Sequence, residues 1–342
     1  MLRTPWRLVT ARRLLTGGLL LLVAVGLALW IFPSNDYIFL PDRAHPVTPL
    51  VHVAGGHDEA EGGIYFVDVV VRKASLLEQL FGGLHEGASL YPASAVVPPG
   101  VTGAEQGKVD TQEMRTSQQV AAAVALRALG RTVTAKPSGA LVAGVESGLP
   151  AAPLLRPTDV IVAANGVAVR TPDDLARVMG RVRPGQVVRF AVRRGAKTLT
   201  VSMRTVAAAG QPKRAIVGVL LDQAEDIHLP VRVSIDAHGV GGPSAGLAFA
   251  LDVLQQLGRD VDHGHRIAAT GEIFLNGQVG PIGGIKQKTI GAREAGVDAF
   301  LVPAGQNARD ARKYANGLRI IPVKSFQQAL HALATLPRTV QK

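Results

Sequence analysis

The chain has 342 residues, 47% hydrophobic but only 4% aromatic, with a net charge of +11 and no cysteine. That length allows two or three domains, whose cores must be built mainly from Val, Leu, Ile and Ala. The lack of cysteine excludes disulfides, cysteine nucleophiles and thiolate metal sites, and scattered basic residues without interleaved aromatics argue for a solvated basic surface near anionic lipid, with no nucleic-acid partner.

Leu14 to Phe32 is an uncharged apolar run just long enough to cross the hydrocarbon core. Arg3, Arg7, Arg12 and Arg13 precede it with no acidic residue, which places the N-terminus in the cytoplasm and the bulk of the chain outside the cell membrane. Gly26 and Ala28 occupy small-residue positions suited to signal cleavage, but the apolar run continues through Trp30, Ile31 and Phe32, favouring an uncleaved anchor. The expected segments are 1–13 as a basic cytoplasmic piece, 14–32 as a transmembrane helix and 33–46, rich in Pro and polar groups, as a stalk.

Beyond the stalk, Val47–Val53 and Ile64–Val71 predict two strands joined by a polar loop, and Ser75–Phe81 a short helix. Residues 82–107, dense in Gly and Pro, predict loop, and Glu113–Leu129 a helix stopped by Gly130. Residues 134–206 alternate short β-rich runs with turns. One helix starts after Thr171-Pro172, with Asp173 and Asp174 suited to its positive end. From Ala215 onward IVGVLL and LPVRVSID predict strands, followed by a glycine turn and a helix over 244–257. Then come a strand over 266–270, a hairpin in IFLNGQVG, a helix over 286–295, two short strands in FLVPAG and LRIIPV, and a closing helix over 325–336. The texture is α+β.

The block 134–206 resembles a PDZ domain of bacterial envelope proteases, a small barrel-like sheet capped by helices. Gly148–Ala152, Asp159-Val160-Ile161, Asn165-Gly166, the helix 173–180, Pro184-Gly185 and Arg194-Gly195 carry the likeness; Thr158 stands where such domains usually have glycine. PDZ domains add an extended peptide, often a C-terminus, as a strand beside a helix. The resemblance implies a carboxylate-holding turn at Lys136–Gly139 and a receiving strand Ala140–Val145, including Leu141 and Val142, with a wall formed by Leu175, Val178 and Met179.

Ser244 lies in GVGGPSAG, which fits G-x-S-x-G. An α/β-hydrolase esterase would need an acid and then a histidine downstream; His263, His265 and His331 exist, but hairpins stand upstream where parallel βα units belong. Lys286 and Lys288 open a helix in GPIGGIKQKTIGAREAG. At helical spacing Lys288 shares a face with Gly291, Ala292 and Ala295, the small-residue face that packs closely, so Lys288 is the lysine to bury. Burial favours the neutral amine, which can take a proton from serine without a histidine. Pro243 has no N–H, leaving Gly241, Gly242, Ser244 and Ala245 to supply the oxyanion donors.

GGPSAG paired with TGEIFLNGQVGPIGGIKQK and FLVPAG resembles the proteolytic domain of Lon-type serine–lysine peptidases, nearest to the membrane-anchored, PDZ-containing Lon-like proteins of bacteria. The resemblance puts the nucleophile on Ser244, the base on Lys288 and a lysine-orienting threonine on Thr270; many Lon enzymes carry an acidic residue where Gly241 stands. GGIYFVDVVV and MRTSQQVAAAVALRALG resemble that domain's first strand and helix, which makes 47–133 and 207–342 two parts of one protease domain with the PDZ block inserted. No G-x-x-x-x-G-K-[ST] is present, and Gly103–Lys108 falls one residue short. The expectation is therefore an ATP-independent serine endopeptidase without cofactor or metal, acting on protein or peptide substrates and assembled, by resemblance, as a hexameric ring. The competing expectation is a catalytically silent PDZ tether.

Overall fold

The computed structural model describes residues 6–57, 62–97, 102–237 and 239–337; Arg3 and the centre of the polar loop, 58–61, lie outside the described residues. Trp6–Ile31 is one helix, and its stretch Arg13–Ile31 is long and apolar enough to cross a membrane. Where a stalk was expected, Pro33–Pro41 is a strand between Val69–Ser75 and Ser89–Pro92. Its YIFL run prefers extended structure and buries Ile38. The expected strand Ile64–Val71 breaks after Phe66: Gly63–Phe66 and Val69–Ser75 belong to different sheets, and Asp68 sits in the break. The expected strand Val47–Val53 begins instead as a 3₁₀ turn, Thr48–Leu50, and only Val51–Val53 is extended.

Residues 82–107 are not all loop. They contain the strand Ser89–Pro92, the single turn Ala93–Val96 and the start of a long helix, Gly103–Ala128. That helix runs ten residues ahead of its expected start because its first half, GAEQGKVDTQ, is polar and lacks an apolar period. Another helix, Gln306–Tyr314, hides in a polar stretch for the same reason, burying only Asn307, Ala308 and Ala311.

The main sheet runs in the order His45–Pro46, Gly63–Phe66, Arg266–Ala269, Ala299–Pro303, Arg319–Val323. The last four strands are parallel. Parallel neighbours need crossovers, and the helices Ile285–Glu294 and Gln306–Tyr314 supply two of them. Ala299–Pro303 is wholly buried and reads AFLVP, as a strand covered on both faces must. Every residue of the helix Gly246–Gln256 is buried. Its polar groups are satisfied: Thr48 Oγ1 donates to Asp252, and Gln256 Nε2 donates to the Val51 carbonyl and to Asp252. One apolar cluster joins Val47, Val51, Ile64, Phe66, Val120 and Val124 to Leu247, Phe249, Leu251, Ile267, Leu301 and Phe326. Segments on both sides of the 134–206 block thus share a core.

A second sheet has the order Lys197–Arg204, Val187–Arg194, Val160–Ala164, Thr134–Val145, Val219–His228, over its own core of Ile161, Leu175, Val188 and Phe190. The fully buried Asp159 carboxylate accepts two hydrogen bonds from Arg194, at 2.7 and 2.6 Å. Thr158 takes the glycine-like conformation of that turn, φ +78°, and its N–H donates to the Val142 carbonyl. The turn is kept despite the substitution, at a conformational cost to a β-branched residue.

Candidate active site

Ser244 is delivered by a turn that only small residues can form. Gly242 has φ +80° and donates its N–H to the Asp110 carbonyl at 2.9 Å, resting the turn on the long helix. Ser117 Oγ, two turns further along the same face of that helix, donates to the Pro243 carbonyl at 3.0 Å. A Cβ on Gly246 would lie 2.6 Å from Ser117 Oγ and 2.9 Å from Ile273 Cγ2, so the close approach requires glycine. The Ser244 carbonyl is held from below by the Gly271 N–H at 2.8 Å and by Thr270 Oγ1, which donates at 3.1 Å.

Lys288 comes from the helix Ile285–Glu294 and is 4% exposed. Its Nζ lies 2.6 Å from Ser244 Oγ and 3.4 Å from Thr270 Oγ1. Thr270 spends its own proton on the Ser244 carbonyl, so its lone pairs face the amine and fix its direction. Burial pushes the Lys288 ammonium down to about 8, opposed by the nearby Asp68 carboxylate. Lys286 turns away: its Nζ donates to the Ala88 carbonyl at 2.8 Å and lies over the Tyr314 ring. The small-residue face explains the difference. Gly291 packs so tightly on the 42–44 segment that a Cβ there would stand 1.7 Å from the Asp42 carbonyl oxygen.

Of the expected oxyanion donors, Gly242 is committed to Asp110 and drops out. The Ser244 and Ala245 amides have no acceptor among the described residues and remain, beside the exposed Gly241. Two residues of the site escaped the sequence reading, Asp68 beside Lys288 and Ser117 beneath the serine turn; neither stands in a motif, and only the strand break and the long helix bring them there. Asp42, His45 and Asp68 place three ligand-type atoms within 4.8 Å of one another, the one group among the described residues able to hold a metal ion. Burial, then Asp42, raises the Asp68 carboxyl.

The strand expected to receive a peptide has no free edge. Thr134–Val145 is paired on one edge with Val160–Ala164 and on the other, over its whole length, with Val219–His228. Ala140, Leu141 and Val142 therefore have no free edge, and the Gly139 N–H donates to the Arg170 carbonyl. The open edge belongs to Val219–His228, the last strand of that sheet. A cleft of about 880 Å³ separates it from the helix Pro172–Met179, lined by Leu175, Met179, Ile216, Gly218, Val219 and Leu221. Leu175 and Met179 line this cleft, whereas Val178 borders a separate hollow beside Asn165 and Val187.

Residues 201–335 match the model of the Lon protease (S16) C-terminal proteolytic domain, and residues 109–205 match that of the PDZ domain. Lon protease 2 of Bacillus subtilis (strain 168) is 37% identical over 119 residues, which is 34% of this chain and 20% of that protein. The Lon protease of Rhizobium meliloti (strain 1021) is 33% identical over 183 residues, 49% of this chain and 21% of that one. The chain thus spans about a fifth of the length of these curated relatives. The crystallised PDZ domain of the SdrC-like protein from Listeria monocytogenes aligns at a TM-score of 0.23 and 21% identity, over 25% of this chain and 87% of that one. Ser244, Thr270 and Lys288 all fall within the first match, and the chain carries a Lon-type proteolytic domain together with a PDZ domain.

Proposed function

We propose that this chain is an ATP-independent serine endopeptidase held in a membrane by its N-terminal helix, with the PDZ groove selecting or gating its substrates. The observation that carries the reading is Lys288 Nζ at 2.6 Å from Ser244 Oγ in a buried site. The neutral amine accepts the Ser244 proton as Oγ attacks a peptide carbonyl, and the oxyanion meets the Ser244 and Ala245 amides. The lysinium then gives its proton to the leaving amine. Water, deprotonated by the same lysine, releases the acyl group and restores the serine. Thr270 keeps Nζ aimed through both halves of the cycle.

A peptide C-terminus would enter the cleft beside Leu175 and Met179 and add to the open edge of Val219–His228, its carboxylate at the Ala215–Gly218 turn. With ten residues of that strand paired to Thr134–Val145, the PDZ unit is better bounded at 134–228 than at 134–206. The shared apolar cluster supports its insertion within the protease domain. The arginines before Leu14 support an outward-facing enzyme, and the missing nucleotide-binding loop suits substrates that need no unfolding. A serine-directed phosphonate probe should label the full chain and not Ser244→Ala. Labelling of both would remove Ser244 as nucleophile, and labelling of neither would revive the silent-tether reading.

A further inference from the structure

The helix Leu76–Leu80 and the turn after it expose large apolar side chains that the proteolytic site does not use: Leu80 is 65% exposed, Phe81 59% and Leu84 48%. Exposed apolar groups clustered on one short segment mark a contact surface. Their position is fixed relative to the N-terminal helix. The Leu76 N–H donates to the Phe32 carbonyl at 3.0 Å, one residue past the end of that helix. On the far side of the segment the His85 ring stands 6.3 Å from Trp30. Between them Glu78, almost fully buried, accepts from the Ser75 N–H at 2.8 Å and from Arg72 at 2.6 and 2.9 Å, and pairs with His85 at 2.7 Å. Five helical residues rise only about 7 Å, so the exposed apolar tip stays level with the end of the apolar run. The headgroup region on each side of a bilayer is about 5–7 Å deep.

We infer that the segment Leu76–Leu84 is a membrane-dipping collar, whose Leu80, Phe81 and Leu84 side chains enter the interfacial layer of the bilayer that holds the N-terminal helix. This rests on the reading of that helix as a membrane anchor. The occupant is lipid because the patch is continuous with Trp30, Ile31 and Phe32, which are themselves exposed and apolar. Trp30 is a residue type that settles at the membrane–water boundary, and the exposed Arg72 side chain beside the collar can meet lipid phosphate while still paired to Glu78. The clamp through Glu78 makes the collar a rigid second attachment, so the catalytic domain is held at one tilt instead of swinging on a single tether.

The cysteine-free chain permits clean single-site labelling. Full-length Phe81→Cys, Leu84→Cys, Leu22→Cys and Val187→Cys, each carrying an environment-sensitive NBD dye, would be placed in liposomes. Phosphonate labelling of Ser244 in each variant would show that the fold is intact. The expected result is blue-shifted emission at 81 and 84, lost to lipids spin-labelled near the headgroup and protected from aqueous iodide. Label at 22 should be lost to deep spin labels, and label at 187 should respond only to iodide. If 22 is lipid-buried while 81 and 84 behave like 187, the collar is refuted and the anchor stands. If 22 is also open to iodide, both fall. A blue shift at 81 and 84 that persists in detergent and grows with protein concentration assigns the patch to a second copy of this chain and overturns the lipid assignment.

Discussion

Replacing Gly291 by alanine sets two physical effects against each other. Within a helix interior the change should stabilise by about 1 kcal/mol, because alanine is the better helix former. The added Cβ, however, would stand 1.7 Å from the Asp42 carbonyl oxygen, where real Cβ atoms essentially never come within 3.0 Å. The obstacle is backbone, so the helix Ile285–Glu294 must back away by about 1.3 Å. Lys288 lies one turn earlier on the same face, and its 2.6 Å reach to Ser244 Oγ would stretch beyond hydrogen-bonding range. A misplacement of about 1 Å at a reacting pair costs on the order of 10²-fold. Gly291→Ala should therefore lose about two orders of magnitude in kcat/KM for peptide cleavage and melt lower, with overpacking costing about 1–3 kcal/mol. Gly107→Ala, in the long helix with nothing within 4 Å, isolates the propensity effect and should melt slightly higher at unchanged activity. A Gly291→Ala protein that melts higher and cleaves normally would refute the packing argument.

Lys288→Met should abolish cleavage yet stabilise the fold at pH 7 by up to about 3 kcal/mol, since an amine lowered from 10.5 to about 8 is paid for in folding stability below pH 8, where the buried group must carry a proton. Lys286→Met should keep most activity; equal loss from both in a peptide assay would contradict their assignment to different faces. Thr158→Gly relieves a left-handed β-branched residue and should raise the PDZ unit's stability by about 1 kcal/mol in denaturant melts, while a loss would show that the threonine is favourable there. Met179→Lys should weaken binding of C-terminal peptides measured by fluorescence anisotropy and leave phosphonate labelling intact, whereas unchanged peptide binding would move the groove elsewhere.

Lys288 was legible before any coordinates because its face, Gly291, Ala292 and Ala295, is built of residues that exist to be approached closely. Ser244 was legible through the glycines that bring the turn against Asp110 and Ser117. Asp68 was not, since IYFVDVVV reads as one unbroken strand and nothing local marks the point where the chain leaves one sheet for another. Of Val219–His228 only the first three residues, within IVGVLL, were read as extended, and they were assigned to the protease part, because strand pairing between segments so distant in sequence leaves no periodic trace. The expected receiving strand failed for that reason: its alternation is the same whether its second edge is open or already taken. Pro33–Pro41 was hidden by its flanking prolines, which stand at the ends of a strand as readily as in a stalk, although this one is the central strand of its sheet. The first half of the helix Gly103–Ala128 and the helix Gln306–Tyr314 bury too few apolar groups to show a helical period.

The central claim, that a buried neutral lysine activates Ser244, is tested most directly by the pH dependence of kcat/KM for a peptide whose own groups do not titrate between pH 6 and 10. A base lowered to about 8 gives a single rise through that value, about tenfold between pH 7 and 9, with the neutral amine as the active form. The profile should be insensitive to chelators. A rate that is flat across this range, or that climbs only near the ordinary lysine value, would contradict the claim.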